Sequence, residues 1–131
     1  MISRREFAAG AGMLVLGPLG GCQAEQEKSP MFGIIGKMIA HDGKRDELIA
    51  ILLEGTQEMP GCISYVIAKD LADENSLWIT EVWDSQNSHQ ASLTLESVQQ
   101  AIAKGKPLIA GFGERVETTP VGGHGLNQGF R

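Results

Sequence analysis

Two β-rich runs separated by a short polar turn dictate how the rest of this chain can be arranged. Cys62 to Lys69 reads Cys-Ile-Ser-Tyr-Val-Ile-Ala-Lys, and Leu77 to Trp83 reads Leu-Trp-Ile-Thr-Glu-Val-Trp. β-Branched and aromatic residues of this density suit a pleated, half-buried surface. Asp70 to Asn75 between them is polar. So short a connection cannot carry a crossover, so the two strands form an antiparallel hairpin. The segments on either side must then supply what the hairpin lacks, namely more strands and a helical cover.

The preceding segment supplies one of each. Phe32 to His41 reads as a strand, with Ile34, Gly36, Met38 and Ala40 on one face and Ile35, Lys37, Ile39 and His41 on the other. Gly33 and Gly36 imply a bulge or a close backbone approach. Asp42-Gly43 is a turn. Lys44 to Met59 reads as a helix with Leu48, Ile51, Leu52, Gly55 and Met59 in an apolar stripe, ended by Pro60-Gly61. Beyond the hairpin, Asp84 or Ser85 caps a second helical region. That region runs through His89 to about Lys104, with a weak point at Thr94-Leu95-Glu96, and Pro107 marks its end. Gly111 to Thr118 is a fourth strand. The order β-α-β-β-α-β is the split, ferredoxin-like α+β arrangement. Both helices cover one sheet face. Leu77, Ile79 and Trp83 lie on one side of the third strand and Trp78 and Val82 on the other, so the second face also needs cover. A second copy of the sheet would supply it, which predicts a homodimer.

The chain divides into four parts. Residues 1–22 are a leader, 23–30 a polar tether, 31–119 the domain, and 120–131 a glycine-rich tail in which His124 reads as solvated. Ser3-Arg4-Arg5-Glu6-Phe7 resembles a twin-arginine export motif. The uncharged run Ala8 to Leu19 is shorter than the ~20 apolar residues that span a bilayer and has the length of a signal-peptide core. Leu19-Gly20-Gly21-Cys22 resembles a lipobox, so Cys22 is expected to carry lipid. The domain is then expected outside the cytoplasm, on the periplasmic or cell-surface side, anchored to a membrane. The net charge is −5. The leader removes two arginines and one glutamate, leaving −6 for the remainder. That acidity argues against nucleic acid, whose binding rests on basic phosphate contacts. A lipidated Cys22 leaves Cys62 as a lone thiol with no disulfide partner. Within its apolar run Cys62 reads as a small core residue rather than a nucleophile.

Several segments resemble one family. Gly36-Lys37, Gly43-Lys44-Arg45-Asp46-Glu47-Leu48, Met59-Pro60-Gly61-Cys62-Ile63-Ser64-Tyr65 and Thr80-Glu81-Val82-Trp83-Asp84-Ser85 are similar to the antibiotic biosynthesis monooxygenase family, which includes quinol monooxygenases. The resemblance spans about Phe32 to Thr118. It implies a dimeric α+β barrel and cofactor-free oxidation of an electron-rich phenol or hydroquinol by O2. Family members often carry two histidines three residues apart on the second helix. His89 fits the first, and Ser92 occupies the second position.

Candidate site residues follow from residue chemistry within that frame. His89 can accept a phenolic proton near neutral pH. The competing reading is a structural or helix-surface histidine. Glu81 shares a face with Ile79 and Trp83. A carboxylate there can serve as a base or orient His89, or it can form a buried ion pair across the dimer with Arg115 or Lys37. Trp83, Tyr65, Trp78 and Phe112 could stack on an aromatic ring, or simply build the core. His41 reads as a turn residue. No nucleotide-binding glycine motif and no Cys/His metal spacing is present, so no cofactor and no metal is expected. The alternative is a non-catalytic dimeric module of the same fold that binds haem or a small apolar ligand.

Overall fold

The computed structural model describes residues 30–126. The leader with Cys22, tether residues 23–29 and tail residues 127–131 lie outside the described residues. The elements are β1 (Phe32–Ala40), α1 (Arg45–Gly55), β2 (Cys62–Lys69), β3 (Ser76–Trp83), α2 (Gln86–Ser92), α3 (Glu96–Gly105), a 3-10 turn (Lys106–Leu108) and β4 (Ile109–Thr118). They form one four-stranded sheet in the order β2-β3-β1-β4. All three pairings are antiparallel. This is the ferredoxin-like topology, with the second helical position divided between α2 and α3. The break falls at Leu93-Thr94-Leu95, where consecutive amides turn back onto Gln90, Ala91 and Ser92.

Local chemistry moves some boundaries. α1 stops at Gly55, short of the Met59 expected from its stripe. Thr56 closes the last turn, its hydroxyl donating to the Leu52 carbonyl at 2.7 Å while its amide donates to the same oxygen at 3.1 Å. β4 starts at Ile109, two residues early, because Pro107 sits inside the 3-10 turn and the chain extends directly after it. The two N-terminal glycines of β1 resolve differently. A side chain at Gly33 would collide with the Thr118 hydroxyl on β4, which makes it the close approach. The register shift falls just after Gly36, between Gly36 and Met38.

The helix-facing side holds the core. Ala40, Leu48, Leu52, Leu77 and Ile79 form its buried centre, with Met38, Tyr65 and Ile67 packed against it. Leu48 and Leu77 are fully inaccessible. The opposite face carries no helix. Ile35 pairs with Thr80 and Val116, and Val66 pairs with Thr80, so these residues share that face. Ile35, Val66 and Val116 are exposed there. Trp78 lies on the same side, with the Lys37 ammonium 5.7 Å from its ring centroid and its indole N–H donating to Asp70 Oδ2 at 2.8 Å. Among the described residues no helix is long and apolar enough to cross a membrane.

The β2-β3 loop is fixed from α1. Arg45 Nη1 donates to the carbonyls of Asp70, Asp73 and Ser76 at 3.2, 3.0 and 3.0 Å. One guanidinium thus gathers three carbonyls that would otherwise compete for water. That clamp holds the hairpin, and hence the far end of β3, in register with the helix layer.

Candidate functional site

Alternation along β3 sends Ile79, Glu81 and Trp83 to the helix side. Trp83 is 1% exposed, and its indole N–H needs a partner at that depth. It donates to Glu81 Oε1 at 2.9 Å, two residues back on the same face. The chain then leaves β3 through Asp84 and Ser85 alone. Ser85 caps α2 by accepting the Ser88 amide at 3.1 Å. This short return brings His89 back against the strand it has just left.

His89 Nε2 lies 3.9 Å from Glu81 Oε1, with the two side chains 13% and 14% exposed. That spacing is too long for a hydrogen bond. The imidazole stands edge-on to Trp83, 5.5 Å between ring centroids, and tilted on Phe32 at 5.6 Å. Its Nδ1 is buried without a hydrogen-bond partner. Both described contacts to Glu81 use Oε1, so Oε2 takes part in neither.

In front of Glu81 lies a cavity of about 200 Å³. Ile34, Met38, Ile79, Phe112 and Arg115 share its wall with Glu81. Trp83 and His89 stand behind the carboxylate rather than on that wall. Tyr65 is the cross-strand partner of Glu81 on β2. Burial, and then the Glu81 charge, hold its phenol above the usual tyrosine range. Cys62 is half-buried, and its thiol donates to the Ser64 carbonyl at 3.5 Å. Burial first and Glu81 second push that thiol up to about 11, so it stays protonated near neutrality.

The structure therefore brings Glu81, Trp83, His89 and Tyr65 together and sets Phe112 on the cavity wall. It separates Trp78, which points from the uncovered face because it is one residue out of phase with Ile79 and Glu81. Within one chain Glu81 pairs with neither Arg115 nor Lys37. Arg115 pairs with Glu117 at 2.9 Å, and Lys37 lies over Trp78. Ser92 is buried and spends its hydroxyl on the His89 carbonyl at 2.6 Å, so it supports the backbone of α2 at His89. Phe32 and Met38 were missed by sequence reasoning. Their signal was present in the alternation of β1, where Phe32, Ile34 and Met38 share a face. What could not be seen was that α2 would return His89 to the Phe32 end of that face. Among the described residues no cluster of three or more His, Cys, Asp or Glu side chains is arranged to hold a metal ion.

Comparison with known proteins gives a consistent result. Residues 31–104 match the family described as antibiotic biosynthesis monooxygenase. A crystal structure from Chloroflexus aurantiacus assigned to that family is 64% identical, with 73% of this chain and 98% of that chain covered and a TM-score of 0.72. One from Caulobacter crescentus, assigned to the same family, is 18% identical over 76% of this chain and 99% of that one, with a TM-score of 0.66. SnoaB from Streptomyces nogalater, a cofactor-independent oxygenase, is 13% identical over 73% and 98%, with a TM-score of 0.61. At those lower identities the likeness concerns the fold. No curated protein matches.

Proposed function

Because the chain belongs to the antibiotic biosynthesis monooxygenase family, we propose that it oxidises an electron-rich phenol or hydroquinol with O2 and without a cofactor. The observation that carries this reading is the Glu81 carboxylate, which faces a small, largely apolar cavity with Trp83 and His89 at its back. Glu81 takes the phenolic proton, and the ring anion passes one electron to O2. Recombination of the two radicals forms a carbon–oxygen bond to a peroxide. Loss of water, using the proton held by Glu81 and the hydrogen of that carbon, leaves one oxygen as a carbonyl. All four electrons that reduce O2 come from the substrate, so no external reductant is consumed. The Trp83 indole fixes Oε1, and His89 steadies the charge on the carboxylate. A positioned base of this kind contributes about 10²- to 10⁴-fold.

Oxygen uptake by purified protein, measured over a panel of hydroquinols, tests the reading. Uptake above the uncatalysed rate that is lost in Glu81→Gln is the expected result. No uptake with any of them would refute it. The cofactor-independent SnoaB supports the same chemistry on the same fold.

The same proposal places a second copy of the chain on the uncovered sheet face, where Ile35, Val66 and Val116 are exposed. It also includes export and lipid on Cys22, supported by the arginine pair and the Leu19-Gly20-Gly21-Cys22 run. Labelled fatty acid should enter the wild-type chain and not Cys22→Ser. One feature favours the alternative of a binding module, namely Ser92 at the position where the family resemblance implies a second histidine. An absorption band from bound haem in the purified protein would support that alternative.

A further inference from the structure

A second cavity, of about 450 Å³, adjoins the one at Glu81. Met38 and Phe112 wall both. The rest of its lining is mainly apolar, with Leu48 and Leu52 from α1, Ile102 from α3 and Ile109 from β4. Lys106 is the one charged residue among its lining. Backbone geometry helps to open it, since β4 slips register between Ile39 and Ala40 and its chain passes the end of α3 without a large side chain at Ala110 or Gly111.

The two chambers differ in chemistry. The smaller is lined by three charged residues, Glu81, Lys37 and Arg115, while the larger offers a ligand little but hydrocarbon. Ligand pockets commonly run ~300–1,000 Å³, so the larger chamber is a pocket in its own right and the smaller is not. A single hydroxylated ring at Glu81 would leave the larger one empty. Away from Lys106, a polar group there would lose its water without gaining a side-chain hydrogen bond. We infer that the larger chamber holds an apolar chain carried by the aromatic substrate, whose ring sits at Glu81. This rests on the reading of Glu81 as the oxidation site, and it specifies the substrate class as a ring with an aliphatic tail.

Redox-inert probes separate the two claims. The probes are 2-alkyl-1,4-dimethoxybenzenes of increasing chain length, with Kd measured by equilibrium dialysis below the concentration at which they aggregate. Each added methylene should tighten binding by about four-fold, the equivalent of ~0.8 kcal/mol per buried CH2, and the gain should stop once the chamber is full. Ile102 is half exposed on α3, so Ile102→Asp should fold, and circular dichroism would verify this. In that variant the gain per methylene should fall below two-fold, and Ile102→Leu should restore it. A gain below two-fold per methylene in the wild type, or an unchanged gain in Ile102→Asp, overturns the inference. Oxygen uptake with unsubstituted hydroquinol and with 2-alkylhydroquinols of the same chain lengths is measured in parallel. Turnover without chain-length dependence would overturn the tail chamber and leave the oxidation reading standing. Chain-length dependence without turnover would do the reverse.

Discussion

At the scale of single residues, the candidate site is a carboxylate held by its neighbours. Trp83→Phe removes the hydrogen bond to Oε1 and also leaves space where the larger indole packed. We expect a loss of about 1–3 kcal/mol in stability, because a buried carboxylate oxygen loses its donor. If Glu81 acts on substrate, kcat should fall while KM changes little. A fall in KM alone would contradict the positioning role. His89→Ala should lower kcat less than Glu81→Gln does, since His89 acts through the carboxylate. Equal losses in the two variants would assign the base to His89 instead. Cys62 gives a prediction independent of catalysis. Burial raises its thiol from 9.0 to about 11, so the folded chain keeps that proton longer than the unfolded chain does. Its contribution is fully present below pH 9 and is lost as pH rises toward 11. Tyr65, also raised, adds a loss in the same direction above pH 10. Urea midpoints at pH 8, 9.5 and 11 should therefore decline. In Cys22→Ser protein, alkylation of Cys62 should accelerate near pH 11 rather than pH 9.

At the scale of elements, much of the architecture was legible because its signals are local. β2 was readable to the residue, since β-branched density begins at Cys62 and ends before polar Asp70. The break in the second helix was readable from Thr94-Leu95-Glu96, where no good helix interior forms. The end of α1 was not, because it depends on a Thr56 side-chain bond that no periodicity records. Face assignment was equally clear on β3, and it already placed Trp78 opposite Trp83. Listing Trp78 with the ring-stacking residues ignored that alternation. The joining of Glu81 to His89 was harder to read, because it depends on the length and direction of a two-residue return. The contact between α1 and α3 is a further long-range fact. A Cβ on Gly55 would stand 2.5 Å from the Ala101 Cβ. Gly→Ala ordinarily favours a helix by up to ~1 kcal/mol, yet Gly55→Ala should destabilise this protein by about 1–3 kcal/mol through overpacking. Gly55→Ala with Ala101→Gly should recover most of that loss in thermal melts. Additive losses would mean that the two helices do not meet there. On the hairpin, the Trp78 indole is the leading reason that the Asp70 carboxyl lies below the usual range. Trp78→Phe should therefore let it titrate at higher pH, which NMR would detect.

At the scale of the whole molecule, the two sheet faces divide the labour. The helix side buries the core and holds Glu81. The other side presents Ile35, Val66 and Val116 in the row through Thr80, with Trp78 two residues away on β3. Contiguous apolar surface of this kind usually marks an interface. A stable interface buries ~800 Å² on each partner, and a single four-stranded face is of suitable size. Ile35 lies at its centre, on β1 between Thr80 of β3 and Val116 of β4. Ile35→Asp would place a charge where the proposed partner sheet would pack, and burying an unpaired carboxylate is costly. In the isolated chain Ile35 is already partly exposed, so the substitution should not unfold the domain. Light scattering should show half the wild-type mass, with an unchanged far-ultraviolet spectrum. The consequence for function follows from geometry. Glu81, Trp83 and His89 face the helices, so a folded monomer retains the carboxylate, its two supports and the cavity in front of it. Ile35→Asp should then melt earlier than the wild type but still consume oxygen with any hydroquinol that the wild type accepts. Complete loss of turnover in a monomer that stays folded would mean that the partner reaches across to the helix side. The site would then belong to the pair rather than to one chain.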